Sequence, residues 1–126
     1  MRRSDQRKDA VFALYQHEVT GRPPEDLLDA GKPFSRELVA GVEANRAELD
    51  GLISRYSKGW ALERIAPLEG SIMRVALFEA LHRDDVPVEV AIDEAVELGK
   101  EYCGADAPGF INGILGAALE EAGAVE

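Results

Sequence analysis

The stretch DVPVEVAIDEAVELGKEY, residues 85–102, decides whether this chain contains a β-sheet. Its opening run, VPVEVAI, is the one segment of the sequence that fits either a strand or a helix. Pro87 and the later apolar spacing of three and four residues favour a helix, because proline suits a first helical turn. The predicted inner stripe is Val88, Ala91, Ile92, Ala95, Val96 and Gly99.

The same helical period continues on both sides of this stretch, and no other segment requires a strand. We therefore predict an all-α bundle of about six or seven helices. The remaining predicted elements are a helix from Ser4 (as N-cap) to about Thr20, two turns within residues 23–31, the longest helix from Ser35 to about Ser57, a turn or loop at 61–67, a helix opening at Pro67, and a last helix capped by Asp106.

Length and composition indicate one domain, residues 1–126, with 46% apolar and 30% charged residues. No apolar run approaches the ~20 residues that a membrane helix needs. The basic N-terminus is not followed by the apolar segment of a secretory signal. Cys103 is the only cysteine. A reducing cytoplasm is therefore the predicted location.

The net charge of −10 is unevenly distributed, because residues 84–126 carry eleven acids and one base, whereas residues 1–83 carry thirteen of each sign. Four of the fourteen bases lie in the first eight residues: Arg2, Arg3, Arg7 and Lys8. A basic end is typical of phosphate contact, and an acidic end of a basic protein partner or simply of solubility.

Residue types that would carry catalysis are scarce. His17 and His82 are far apart and lack metal-ligand spacing, so we predict structural histidines. Cys103 has no histidine or second cysteine in a catalytic pattern. The acidic run that includes Asp93 and Glu97 is typical of a solvated helix face. We predict no enzyme activity, no metal and no cofactor.

Two features leave binding open. Glu79 continues the apolar line of Ile72, Val75 and Ala76, so it either forms an ion pair with a base such as Arg74 or Arg36 or lies at a contact surface.

The stretch PGFINGILG, residues 108–116, is the second feature. Gly113 and Gly116 are expected to permit close packing. Phe110 and Asn112 could contact a nucleobase by stacking and by hydrogen bonding, or else fill the core and cap a turn.

Five segments in this order resemble the NusB family: 7–18, 37–56, 68–80, 85–102 and 108–116. The elements VPxxVAIxEAVELxK and FxNGxLG carry most of the resemblance. It implies two packed helical sub-bundles and a role in transcription antitermination without a catalytic step. It also implies pairing with the ribosomal protein NusE, binding to boxA single-stranded RNA of nascent rRNA transcripts, and assembly with NusA and NusG at RNA polymerase.

The resemblance also implies residue roles. It assigns to RNA binding Arg2, Arg3, Arg7, Lys8, Tyr15, Lys100, Phe110 and Asn112. It assigns Arg74 and Glu79 to the partner protein, and Asp106 to a position linked to antitermination.

Two alternatives remain at this point: a helical adaptor without RNA binding, and a detached N-terminal domain of an rRNA methyltransferase. The chain ends where the enzyme part would begin, which favours the stand-alone factor. The sequence also leaves open whether the chain forms a homodimer.

Overall fold

A computed structural model describes residues 2–28, 31–57 and 64–124, and their helices form a bundle without strands. The helices are α1 (Arg3–Thr20), α2 (Pro33–Ala44), α3 (Arg46–Tyr56), α4 (Pro67–His82), α5 (Val88–Tyr102) and α6 (Ala107–Glu121), with a 3₁₀ turn at Pro24–Leu27 between α1 and α2. No helix among these residues is long and apolar enough to cross a bilayer.

The central helix is α4, in which every residue from Gly70 to Glu79 is buried. A helix that is buried all round needs neighbours on every side. One group of helices, α1 and α2, packs against one side of α4, and α5 and α6 pack against another. Helix α3 contacts both α4 and α6. The predicted all-α bundle of two helical groups is confirmed, with α4 shared between the groups.

Local sequence explains several helix boundaries. Pro33 and Pro67 occupy the first helical positions of α2 and α4, where the missing N–H costs nothing. Gly21 ends α1 with φ +78°, a conformation that glycine adopts without strain. The inner stripe predicted for the last helix is confirmed, since the side chains of Ile111, Ile114, Leu115, Ala118 and Leu119 are all buried.

The segment predicted as the longest helix is two helices. α2 ends at Ala44, and α3 begins at Arg46. Between them the Asn45 side-chain amide donates to the Gly41 carbonyl at 2.8 Å. An asparagine that bonds its own backbone in this way competes with the regular helix. Within the described part of residues 23–31, the predicted two-turn helix is a 3₁₀ turn at Pro24–Leu27.

Two predicted caps are corrected. Arg2, not Ser4, precedes α1, and the Ser4 hydroxyl instead donates to Glu94 Oε1 at 2.7 Å. Asp106 does precede α6, but its side chain makes no capping hydrogen bond.

The glycines that permit close packing are not those expected in 108–116. A Cβ on Gly113 or Gly116 would meet nothing within 4 Å. A Cβ on Gly99, by contrast, would lie 2.6 Å from Ile111 Cδ1, and one on Gly41 would overlap the ring of Phe78. Close approach is therefore needed where α5 meets α6 and where α2 meets α4.

Candidate nucleic-acid interface

The four N-terminal bases have different surroundings, with Arg2 just before α1 and the other three within it. The Arg2 side chain is 84% exposed and lies 3.6 Å from the carboxylate of Asp5. The Arg3 guanidinium is half-exposed, and its Nη2 donates to Asp85 Oδ2 at 2.6 Å. Arg3 also lies over the ring of Phe34, at 4.4 Å from the centroid. Arg2 is therefore largely open to solvent beside Asp5, while Arg3 is held by Asp85 and the ring of Phe34.

Arg7 lies inside the bundle. Its Nε and Nη2 donate to the two carboxylate oxygens of Glu79, at 2.6 and 2.7 Å, and its side chain is 5% exposed. Burial lowers the pKa of Arg7, but the hydrogen bonds and the charge of Glu79 outweigh burial, and the net shift is upward. This geometry corrects two expectations: Arg7 is not available to a phosphate, and Glu79 is paired with Arg7 rather than with Arg74 or Arg36.

Lys8 points toward the carboxyl end of α5. Its ammonium lies 6.0 Å from the ring centroid of Tyr102, and interaction with the Tyr102 hydroxyl is the main cause that raises the pKa of Lys8. Tyr102 is 39% exposed, and its ring stands edge-on to that of Phe12, with centroids 5.0 Å apart. Phe12 and Tyr102 thus form a pair of perpendicular rings, with the ammonium group of Lys8 beside Tyr102.

Sequence reasoning missed Tyr102. The available signal was its place at the end of α5, two residues after Lys100, in a chain with only three tyrosines. What could not be read from the sequence is that α1 brings Lys8 and Phe12 to it.

The other predicted RNA-binding residues lie on three helices: Tyr15 on α1, Lys100 on α5, and Phe110 and Asn112 on α6. Lys100 and Asn112 are exposed, and Tyr15 is partly exposed. Phe110 packs partly against the core and lines a cavity of about 240 Å³ together with Ile65 and Ala107. Phe110 therefore combines the core-filling role with a ring face on a cavity. Lys8 reaches the carboxyl end of α5, from which the short connector 103–106 leads to Phe110.

The residues predicted to bind a partner protein are mostly internal. Glu79 is fully buried, and the Arg74 side chain is 7% exposed, with its Nε donating to Asp50 Oδ1 at 2.6 Å. Neither residue lies on a docking surface, which corrects that assignment. Asp106 is exposed at the start of α6.

The outer face of α5 is acidic. Exposed carboxylates occur at Glu89, Asp93, Glu97 and Glu101, and the Val90 side chain between them is 41% exposed. Such a face favours a basic partner by charge complementarity.

The structure offers little for nucleophilic catalysis or metal binding. Burial, followed by the charge of Glu69, raises the pKa of the Cys103 thiol, which opposes formation of a thiolate. Within residues 2–28, 31–57 and 64–124, no three His, Cys, Asp or Glu side chains are grouped to hold a metal ion.

Comparison with known sequences identifies the family. The sequence profile of the NusB family matches residues 4–120. The chain belongs to the NusB family. The transcription antitermination protein NusB of Rubrobacter xylanophilus is 43% identical over 122 residues, which cover 91% of this chain and 88% of that protein. NusB proteins are transcription antitermination factors rather than enzymes, and this chain shares that role.

Solved NusB structures share the fold. NusB from T. maritima superimposes with a TM-score of 0.88 at 34% identity, covering 96% of this chain and 92% of that one. A second match is a chain from the complex of the antitermination factors NusB and NusE with dsRNA. It has a TM-score of 0.82 at 21% identity and covers 96% of this chain and 99% of that one. At that identity the second match supports the fold alone.

Proposed function

We propose that this NusB-family chain binds boxA single-stranded RNA of nascent rRNA transcripts and pairs with the ribosomal protein NusE. The pair then joins NusA and NusG at RNA polymerase and helps the polymerase read through terminators. The whole chain, 1–126, acts as one RNA-binding domain in the cytoplasm. No catalytic step is required of any residue.

The observation that carries the RNA assignment is the contact between Lys8 and Tyr102, in which the ammonium lies 6.0 Å from the ring centroid. Arg2 and Lys8 supply cations for phosphates, and the exposed Tyr102 ring supplies a face for a base. Stacking of one base on an aromatic side chain contributes about 1–3 kcal/mol. The family resemblance adds Tyr15, Lys100, Phe110 and Asn112 to the proposed RNA-binding residues.

The partner assignment is supported by charge. The acidic outer face of α5 and the net charge of −10 favour a cationic protein. Exposed Asp106 belongs to this proposed contact region, whereas buried Arg74 and Glu79 support it from inside.

RNA affinity of the chain alone is expected to be low. With Arg7 buried, three N-terminal cations remain for phosphates, and the salt slope on a single strand is then about −2. A basic partner would cover acidic surface and add cations of its own. We therefore propose that tight RNA binding requires the pair.

A matched pair of double variants tests RNA binding. R2A/K8A removes two cations from the proposed surface, and R22A/R55A removes two exposed cations elsewhere. In gel shifts of boxA RNA with NusE present, R2A/K8A should weaken binding about tenfold and R22A/R55A less than twofold. Arg7 is left intact because its loss would unpair buried Glu79.

A helical adaptor without RNA binding is the competing function. It predicts that neither double variant changes the gel shift. It also predicts that antitermination activity survives R2A/K8A.

A further inference from the structure

Arg3, one of the proposed RNA-binding residues, forms an ion pair with Asp85. The Arg3 Nη2 to Asp85 Oδ2 distance is 2.6 Å, and the two side chains are 49% and 48% exposed. Arg3 is one of three cations that the N-terminal segment can offer to phosphates. In the structure its charge is already neutralised by a carboxylate that follows α4.

Asp85 has a second arginine. Arg83 Nε donates to Asp85 Oδ1 at 3.1 Å, and Arg83 Nη2 donates to Asp85 Oδ2 at 3.1 Å. The hydrogen bonds from Arg83 and then Arg3 hold the pKa of Asp85 well below its usual range, so the carboxylate stays charged. When Arg3 leaves, Asp85 therefore keeps a forked arginine partner and is not left unpaired.

Arg3 and Arg83 also share the ring of Phe34. Their Cζ atoms lie 4.4 and 5.0 Å from its centroid, and the Phe34 side chain is 5% exposed. This buried ring holds both guanidinium groups beside Asp85 while the outer edge of Arg3 faces solvent. A phosphate can thus approach Arg3 without any change in the helix packing.

We propose that Asp85 competes with RNA phosphate for Arg3 and so sets the RNA affinity of this protein. The proposal rests on the RNA-binding function proposed above. Arg3 exchanges between Asp85 and a phosphate, while Arg83 retains Asp85. An exposed ion pair is weak enough for this exchange, because such pairs change an equilibrium by fivefold or less.

The test compares D85N with D84N, which removes the same charge from the neighbouring exposed position. The probe is fluorescein-labelled boxA RNA with NusE present. D85N should tighten the Kd about two- to fivefold, and D84N by less than about 1.5-fold. In an R3A background the two variants should be equal.

The variant R83Q provides a second measurement, in which the Kd for RNA should rise, whereas it should fall in D85N. Without Arg83, release of Arg3 would leave Asp85 unpaired, so RNA should bind more weakly than charge loss alone explains. The effect of R83Q should accordingly be larger with Arg3 present than in R3A.

These results separate the two proposals. Absence of RNA binding by the unmutated protein with NusE overturns the proposed function. If the protein binds RNA but D85N has the same Kd as D84N, or a higher Kd, then Asp85 does not compete with RNA for Arg3. If D85N does not fold, equal effects of R83Q with and without Arg3 overturn the proposed competition.

Discussion

Arg7 and Glu79 are joined by two hydrogen bonds of 2.6 and 2.7 Å inside the bundle, although they lie 72 residues apart in the chain. The pair fixes the first turns of α1 against the last turns of α4. Arg7 Nη1 lies 3.4 Å from Glu94 as well, so α5 is tied to the same point. A residue of the basic N-terminus thus holds three helices together.

Breaking this pair should be costly. R7M leaves the Glu79 carboxylate buried without a partner, and we expect a loss of about 3–5 kcal/mol in the free energy of unfolding. The double variant R7M/E79L removes both charges and should recover a large part of that loss. Urea unfolding at pH 7 measures both. R2A is the control and should change stability by about 0.5 kcal/mol or less, because Arg2 is exposed.

The glycine substitutions provide a second prediction. G99A should destabilise the protein, because the new methyl group would lie 2.6 Å from Ile111 Cδ1. G113A should stabilise it by up to about 1 kcal/mol, because the site is open and alanine favours a helix. Thermal melts of the two variants should shift in opposite directions. A loss of stability in G113A would show that this glycine has a packing role after all.

Much of the fold could be predicted from the sequence because it depends on short-range periodicity. The stripes on α5 and α6 and the start of α4 at Pro67 are local patterns. The break at Asn45 was missed because an asparagine is tolerated within helices. Whether the helix breaks at Asn45 depends on whether the side-chain amide bonds to the Gly41 carbonyl.

Less of the candidate site could be predicted, since it depends on long-range contacts. No local sequence pattern distinguishes the three bases Arg3, Arg7 and Lys8. Yet Arg7 is buried, Arg3 is paired with Asp85, and Lys8 lies beside Tyr102. Which face of α1 meets α4 decides these roles. The packing of α1 and α5 against the same central helix, α4, accompanies the contact between Lys8 and Tyr102.

Tyr102 gives a prediction about RNA affinity. Y102A should raise the Kd for boxA RNA about fivefold or more, because it removes the stacking face. Y102F keeps the ring and should stay within about twofold of the unmutated protein. Fluorescence anisotropy with NusE present measures both. Equal weakening by the two variants would assign the effect to the hydroxyl instead of the ring.

Low pH should reduce the free energy of unfolding, in part because Glu18 becomes protonated. The hydrogen bond from Arg46 lowers the pKa of Glu18, at an Nη2 to Oε2 distance of 2.6 Å. A lowered carboxyl pKa stabilises the fold above the ordinary value, and this contribution disappears as pH falls below the lowered one. E18Q should therefore cost about 1 kcal/mol or less at pH 7, given the partial exposure of the pair.

At a pH well below the lowered pKa of Glu18, the same variant should unfold at the urea concentration of the unmutated protein. Urea midpoints at the two pH values supply the comparison. A constant difference between them would mean that Glu18 acts through packing and not through its charge.

The most direct test of the account is the boxA RNA affinity of this chain with and without NusE. Fluorescence anisotropy of one labelled RNA should be measured for the chain alone, NusE alone and the equimolar mixture, at two salt concentrations. We expect the mixture to bind at least tenfold more tightly than either protein, and the chain alone to show a shallow salt slope near −2. Equal affinity of the chain alone and the mixture would contradict the account.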